Sequence, residues 1–490
     1  MQISSSFGIL DMIVFFGYFI VLVSSSYLFS RDKISSTKEY FTASNKLPLF
    51  AVAISIVATS QSAATFLGVP DYSYVHNFTL IGFYISALIA VVFVAKYFVP
   101  KFYEYKVVSV YELLEYRYGE SAKQQAGIVF LLGRVMASGA RLYIAAIAVS
   151  MILFFDINFL HMLFAILLLL IGALAYTYFG GIKSVVYSDT IQAFTYISAA
   201  LFVMFYLYNS LDGISIYQVL QTHDKLNLVD SSLDGKFSII GLLSGWLLLN
   251  IAAFGLDQDM TQRVLSCKDK DEASSSLILS ILITIPIVFI FLIIGSLLFV
   301  YYQNVEVSRE FEGEKITVFI YYILHELPDG IRGFVTVGAI AAALSSTNSV
   351  LGAMASVAIE DIYKPYQLNK GRYLDESHFF KASKIAVIGF AFLLLIMAVG
   401  SYFWQRNFDI PLISFALGVM AFTYTGLLGV FFSAIFTSRG SGKMVPFSLL
   451  GGFLTVLFLQ PYVFGIDIGF AWQILIGSSI AFFIMQLERK

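Results

Sequence analysis

Stretches of about 20 apolar residues, each able to cross roughly 30 Å of hydrocarbon, recur from end to end of this 490-residue chain. In hydrocarbon the backbone must satisfy its own N–H and C=O groups, which leaves the helix as the element for each stretch. Composition agrees. The chain is 59% hydrophobic and 13% charged, with a mean hydropathy of +0.82, whereas a soluble chain carries about 25% charge. The expectation is an all-α polytopic membrane protein. Its thirteen spans fall near 9–29, 49–69, 77–99, 126–155, 159–179, 185–208, 237–258, 275–301, 332–358, 382–403, 410–436, 444–464 and 468–486.

Basic residues give the orientation. With the N-terminus outside, the inner loops and tail hold 22 Lys and Arg and the outer loops hold 6, with Arg134 and Arg141 inside the fourth span. The reading is therefore N-terminus outside and C-terminus cytoplasmic, in the plasma membrane. The first span lacks a preceding Lys or Arg and is not expected to be a cleaved signal peptide. A single cysteine, Cys267, excludes a disulfide framework, and five scattered histidines offer no metal cluster. A net charge of −2 implies no nucleic-acid partner. The basic inner loops read as topology determinants, with anionic lipid a lesser possibility. "KITVFIYYILHEL" (315–327) is expected as an amphipathic helix lying on the outer surface.

Polar residues within spans are the informative ones, because they are expensive in lipid and face the bundle interior. "ISIVATSQSAATFLGVP" places Thr59, Ser60, Gln61 and Ser62 in a row. Four adjacent polar residues point all round a helix, so one packed face cannot hide them. A local unwinding whose backbone lines a cavity or binds an ion would. "NIAAFGLDQDMTQR" brings Gly255, Asp257, Gln258 and Asp259 where the apolar run fails. "GAIAAALSSTNSVLGAMASVAIEDIY" (338–363) puts Ser345 and Ser349 one turn apart on one face. Asp189 sits near the inner end of the sixth span. The bland alternatives stay open: Ser and Thr glue membrane helices, acids cap or snorkel at span ends, and Arg134 and Arg141 pair with acids or carbonyls.

The motifs together resemble the sodium:solute symporter family. The matching stretches are "KEYFTASNKLP" (38–48), "TSQSAATFLGVP" (59–70), "VSVYELLEYRYG" (108–119), "YTYFGGIKSVVYSDTIQAF" (176–194), "DQDMTQRVLSCKDKDEA" (257–273) and "AAALSSTNSVLGAMASVAIEDIY" (341–363). The resemblance implies a LeuT-like core of two five-helix inverted repeats, near 49–208 and 237–436, with one leading and two trailing helices. Residues 1–490 then form one transmembrane domain. It also implies that the first helix of each repeat, here the second and seventh spans, is discontinuous.

The family's sodium site carries over as backbone carbonyls of Ala58, Gln61 and Ala342 with hydroxyls of Ser345 and Ser346. Such a shell supplies a hard cation with oxygens that bear no full charge. Members with a second sodium ion use an acid at the position of Asp189, here with Ser345 and Ser349 opposite and Asn348 beside them. Asn348 stands where those members have Ser, and an amide carbonyl can still coordinate sodium. Ser60, Ser62 and Thr65 occupy positions that contact solute in related transporters. Arg141, or alternatively Arg134, could grip a solute carboxylate in two-pronged fashion. Asp257 at the seventh-span break completes the candidate set. "FTLIGFYISALIAVV" offers only Ser86 to a sugar, which tilts the reading to an organic acid or amino acid.

The expected protein is a sodium-coupled symporter importing a small polar solute. It uses no organic cofactor, does no covalent chemistry and works as a monomer in the bilayer. A proton-coupled relative with Asp189 as carrier, and a transport-like sensor, are the rival readings.

Overall fold

The computed structural model describes residues 7–488 except 30–33, 35, 233–234, 303–309, 312–313, 316, 408–411 and 466–467. The basic loop at 31–33, Arg309 and the start of the eleventh span lie outside the described residues. The described chain is almost wholly helical, apart from one two-residue strand pair, Glu310–Phe311 with Glu314–Lys315.

A leading helix α1 (Ile9–Phe29) is followed by the short α2 (Thr37–Thr42). The second expected span is two helices, α3 (Leu49–Ser60) and α4 (Ala63–Val75), meeting at 63°. Gln61 and Ser62 between them are extended. Next come α5 (Ile81–Tyr97), α6 (Glu120–Phe154) and α7 (Phe159–Asn209). The last of these holds the expected fifth and sixth spans, divided by a kink at Gly181 (φ 54°, ψ −153°). Only glycine fits there: a Cβ would sit 2.5 Å from the Tyr40 carbonyl oxygen, at a positive φ that side chains disfavour.

The seventh expected span is also broken. A turn at Ile239–Leu242 leads into α8 (Gly245–Gly255), and after Leu256 and Asp257 the chain resumes as α9 (Gln258–Val264), bent by 57°. There follow α10 (Lys270–Tyr302), α11 (Val318–His325) and α12 (Ile331–Ser356), which runs on through a π-helical stretch, Val357–Tyr363. The chain closes with α13 (Glu376–Asn407), α14 (Leu412–Phe436), α15 (Val445–Phe458) and α16 (Phe470–Gln486). By length and composition, seven of the described helices can cross a membrane, or up to nine with each bent pair taken as one span.

The main packing seam runs between α12 and α7, with α1 laid against both and α3 against α7. One expectation fails. The 315–327 helix does not lie on the surface, because Val318, Phe319, Ile320, Tyr322, Ile323 and Leu324 of α11 are all buried, packed among α4, α6, α10 and α12. Apolar residues on every side call for protein cover rather than a half-wet interface.

Asp11 fastens the leading helix. Its carboxylate is fully buried and accepts from the N–H groups of Gly330 (2.7 Å) and Gly333 (2.6 Å) and from the Arg332 guanidinium (2.9 Å). It thus caps the start of α12, whose first N–H groups have no partner within the helix. Removing one member of a buried ion pair costs about 3 kcal/mol or more. Asp11→Ala should therefore lower the thermal midpoint of the purified protein clearly, and an unchanged midpoint would show that the clamp contributes nothing.

Glu112, on the short helix Glu112–Tyr118, lies outside the spans. Burial first, then the Glu360 and Glu115 carboxylates, push its pKa up to about 7 against the opposing pull of the Val108 N–H and Lys123. The folded state holds this proton more tightly than the unfolded chain, so stability falls as pH rises between the ordinary value of 4.5 and about 7. Glu112→Gln, which is permanently neutral, should gain more in melting temperature over the native chain at about pH 8 than at about pH 5. The opposite order at the two pH values would contradict this.

Candidate transport site

Both helix breaks open onto one central cavity of 190 Å³. From the first break come Thr59, Ser60 and Ser62, and from the second Asp257, Asp259 and Met260. Phe83 and Tyr84 of α5, Arg134, Ser138 and Arg141 of α6, Asn250 of α8, and Tyr424 of α14 add walls. Ser346 of α12 reaches the same space.

The two candidate arginines have different surroundings, although they lie two turns apart on one face of α6. Arg134 is held by Asp257, through Nε at 3.2 Å and a second, shorter contact, and by Asp259 at 3.3 Å. The Tyr424 hydroxyl donates to Asp257 Oδ2, the oxygen of that shorter contact. Arg134 therefore takes the bland reading, an arginine paired with acids, and it occupies the Asp257 oxygens that were expected to face solute. Arg141 meets no carboxylate among the described residues; its guanidinium touches the Met420 sulfur at 2.7 Å. A thioether is a weak acceptor, so this arginine keeps its hydrogen-bonding capacity for something else.

Other expected contacts divide. Ser60 and Ser62 line the cavity, but Thr65 does not: its hydroxyl accepts from the Ser62 N–H at 3.4 Å and caps α4. Ser86 is buried and donates to the Leu242 carbonyl at 2.7 Å, again away from the cavity. The polar contribution of α5 is Tyr84 instead.

The expected sodium ligands converge from α3 and α12, which pack together. Where α3 stops at Ser60, the Ser62 N–H turns to Thr65, so the Ala58 carbonyl loses its helical donor. Ser346 donates to the Ala343 and Ala342 carbonyls (3.0 and 3.2 Å), and Ser345 donates to Asp189 Oδ1 at 2.9 Å. Each hydroxyl spends its hydrogen inside the protein and keeps lone pairs for a cation.

Of the residues expected opposite it, Asp189 bonds Ser345. Its second oxygen accepts from Ser55 at 2.6 Å and from Arg263 at 2.9 Å, with both charged side chains fully buried. Arg263 also bonds the Ser55 hydroxyl (2.8 Å) and the Asp259 carbonyl (2.8 Å). Asn348 and Ser349 line a separate cavity of 10 Å³ with Thr177 and Gln262, room for about one water. No hydrogen bond joins them to Asp189. The Arg263 partnership was not anticipated from sequence, although a buried acid on α7 demanded a counter-charge somewhere.

Two broken spans around a small, charged mid-bundle cavity define a secondary active transporter. Residues 40–444 match the sodium:solute symporter family, and the chain belongs to it. It is a sodium-coupled symporter for a small organic solute. Among relatives, the sodium/sialic acid symporter NanT of Aliivibrio fischeri is 28% identical, with 99% of this chain and 94% of the relative aligned. SiaT of Proteus mirabilis, also a sodium/sialic acid symporter, is 26% identical over 96% and 93%. A sodium/glucose cotransporter of Vibrio parahaemolyticus is 24% identical over 74% and 70%. The fold is shared with a substrate-bound, outward-open Na+-coupled sialic acid symporter at a TM-score of 0.85 and 24% identity, covering 98% of this chain and 97% of that one. MHP1, a nucleobase-cation-symport-1 transporter, superposes at 0.59 with 13% identity over 93% and 94%. The architecture is the LeuT-like one that the resemblance implied.

Proposed function

We propose that the solute is a carboxylated organic acid of the sialic acid type, imported with one sodium ion, and that Arg141 grips its carboxylate. The observation that carries this is the contrast within α6: Arg134 is neutralised by Asp257 and Asp259, while Arg141 faces the cavity without a carboxylate. The cavity's two arginines and two aspartates cancel. A carboxylate entering alone would leave a net negative charge in a low-dielectric site, and a sodium ion beside it restores neutrality. That is a physical reason for obligatory co-binding. Ser60, Ser62 and Tyr84 supply hydroxyls for a polyhydroxylated solute. The names of the sodium/sialic acid relatives support the same solute class.

The sodium shell in this reading is Ala58, Gln61, Ala342, Ser345 and Ser346. Asp189, already bonded to a guanidinium, serves as the support of Ser345 rather than as a second ion site or a proton carrier. The monomer works in the plasma membrane with its N-terminus outside, a reading supported by the distribution of basic residues.

Arg141→Lys should lose most solute affinity, because an ammonium cannot reproduce a flat two-pronged contact. Isothermal titration with sialic acid and its methyl ester checks this. The native protein should bind only the free acid, and equal binding of acid and ester would sink the assignment.

Loss of one oxygen from a small shell should raise the sodium concentration for half-maximal uptake about tenfold in Ser346→Ala or Ser345→Ala. Asp189→Asn should leave the measured ratio of sodium to solute unchanged. A lowered ratio would mean that a second ion binds at Asp189.

A further inference from the structure

Away from the transport cavity, a hollow of 310 Å³ opens beside a seam between the two repeats. The seam is joined at backbone carbonyls: the Leu47 N–H donates to the Ser266 carbonyl at 3.0 Å, and the Gln262 side-chain amide donates to the Phe41 carbonyl at 2.8 Å. The Tyr103 hydroxyl, on the short helix Val99–Tyr105, reaches the carbonyls of Val264 (3.0 Å) and Cys267 (2.9 Å). Three exposed lysines line the hollow, each from a different element: Lys38 on α2, Lys106 in the turn after Val99–Tyr105, and Lys268 in the loop between α9 and α10.

Among the described residues, no carboxylate lines this hollow. None of the three lysines forms an ion pair among the described residues, and two of the nearby acids, Glu104 and Asp269, have other partners. Glu104 is bonded to Lys101 at 2.8 Å, and Asp269 accepts from the N–H groups of Asp271 (3.0 Å) and Glu272 (2.9 Å). Three like charges converging on a concave surface repel one another until an anion joins them. Thr42 adds a hydroxyl to the lining.

The geometry points to a binding site for a phosphate-bearing anion, one that ties Lys38, Lys106 and Lys268 together. Lys38 precedes α3 and Lys268 follows α9, so the anion bridges the inner ends of both broken spans and favours the conformation with this seam closed. The shared chemistry is a phosphate group with at least one negative charge, supplied by a lipid headgroup or by a soluble phosphate.

Two arms separate the sources. In nanodiscs, phosphatidylglycerol should raise the thermal midpoint over phosphatidylcholine; in detergent, inorganic pyrophosphate should raise it over chloride at matched ionic strength. A shift with phosphatidylglycerol alone assigns a lipid headgroup, and a shift with pyrophosphate assigns a soluble anion. Each lysine near such a charge is worth about a fivefold change in affinity, so the triple variant K38Q/K106Q/K268Q should bind about a hundredfold more weakly. A control with Lys370, Lys381 and Lys443 changed to Gln should keep the native response. Should the triple variant not fold, Lys268→Gln alone, on an exposed loop, should weaken binding about fivefold. No shift in either arm, or an equal shift in the lysine-groove variants, overturns the proposal.

Discussion

A chain of buried charges holds the transport machinery together. Arg134 on α6 bonds Asp257 and Asp259, Asp259 bonds Arg263, and Arg263 bonds Asp189, which accepts from Ser345. The residues come from α6, the second helix break, α9, α7 and α12. Burying any one of these charges alone would be prohibitive, so each member requires the next. The chain begins at the wall of the solute cavity and ends on an expected sodium ligand. Arg141 stands beside it as the cavity arginine that meets no carboxylate among the described residues.

The helix breaks make this arrangement useful. An intact helix offers neither spare carbonyls nor spare N–H groups at mid-membrane, whereas a broken one exposes both where they line a cavity. At the first break the Ala58 carbonyl is released close to α12. At the second, Asp257 caps α9 by accepting from the Asp259 N–H at 3.0 Å, while its other bonds hold Arg134 and Tyr424. A cation settling between α3 and α12 would stiffen the first break, which also carries Ser60 and Ser62 of the solute cavity. By linkage, whatever sodium does for solute affinity, solute does for sodium affinity.

The breaks were legible because four successive polar residues at 59–62, and an acid-rich interruption at 257–259, violate the periodicity of any packed helix. The Ser345 region stood out as hydroxyls in an apolar helix, and one of them does meet a buried acid, Asp189. Pairing was not. Arg134 and Asp257 are 123 residues apart, and Asp189 and Arg263 are 74 apart; spacing along a chain says nothing about such partners. Thr65 was misplaced because a threonine three residues beyond Ser62 is as apt to cap a helix as to face a ligand. Likewise α11 looked interfacial because its length and hydropathy suit a surface helix; only the packing of α4 and α12 around it decides otherwise.

On the proposed reading, a carboxylate and a sodium ion enter together because each cancels the charge the other brings. Sodium coupling can be imposed and read directly in proteoliposomes loaded without sodium. With a radiolabelled carboxylated sugar outside, an inward sodium gradient should drive accumulation above the external concentration. An inward proton gradient in sodium-free buffer should give only slow equilibration. Accumulation driven by protons without sodium would contradict the account.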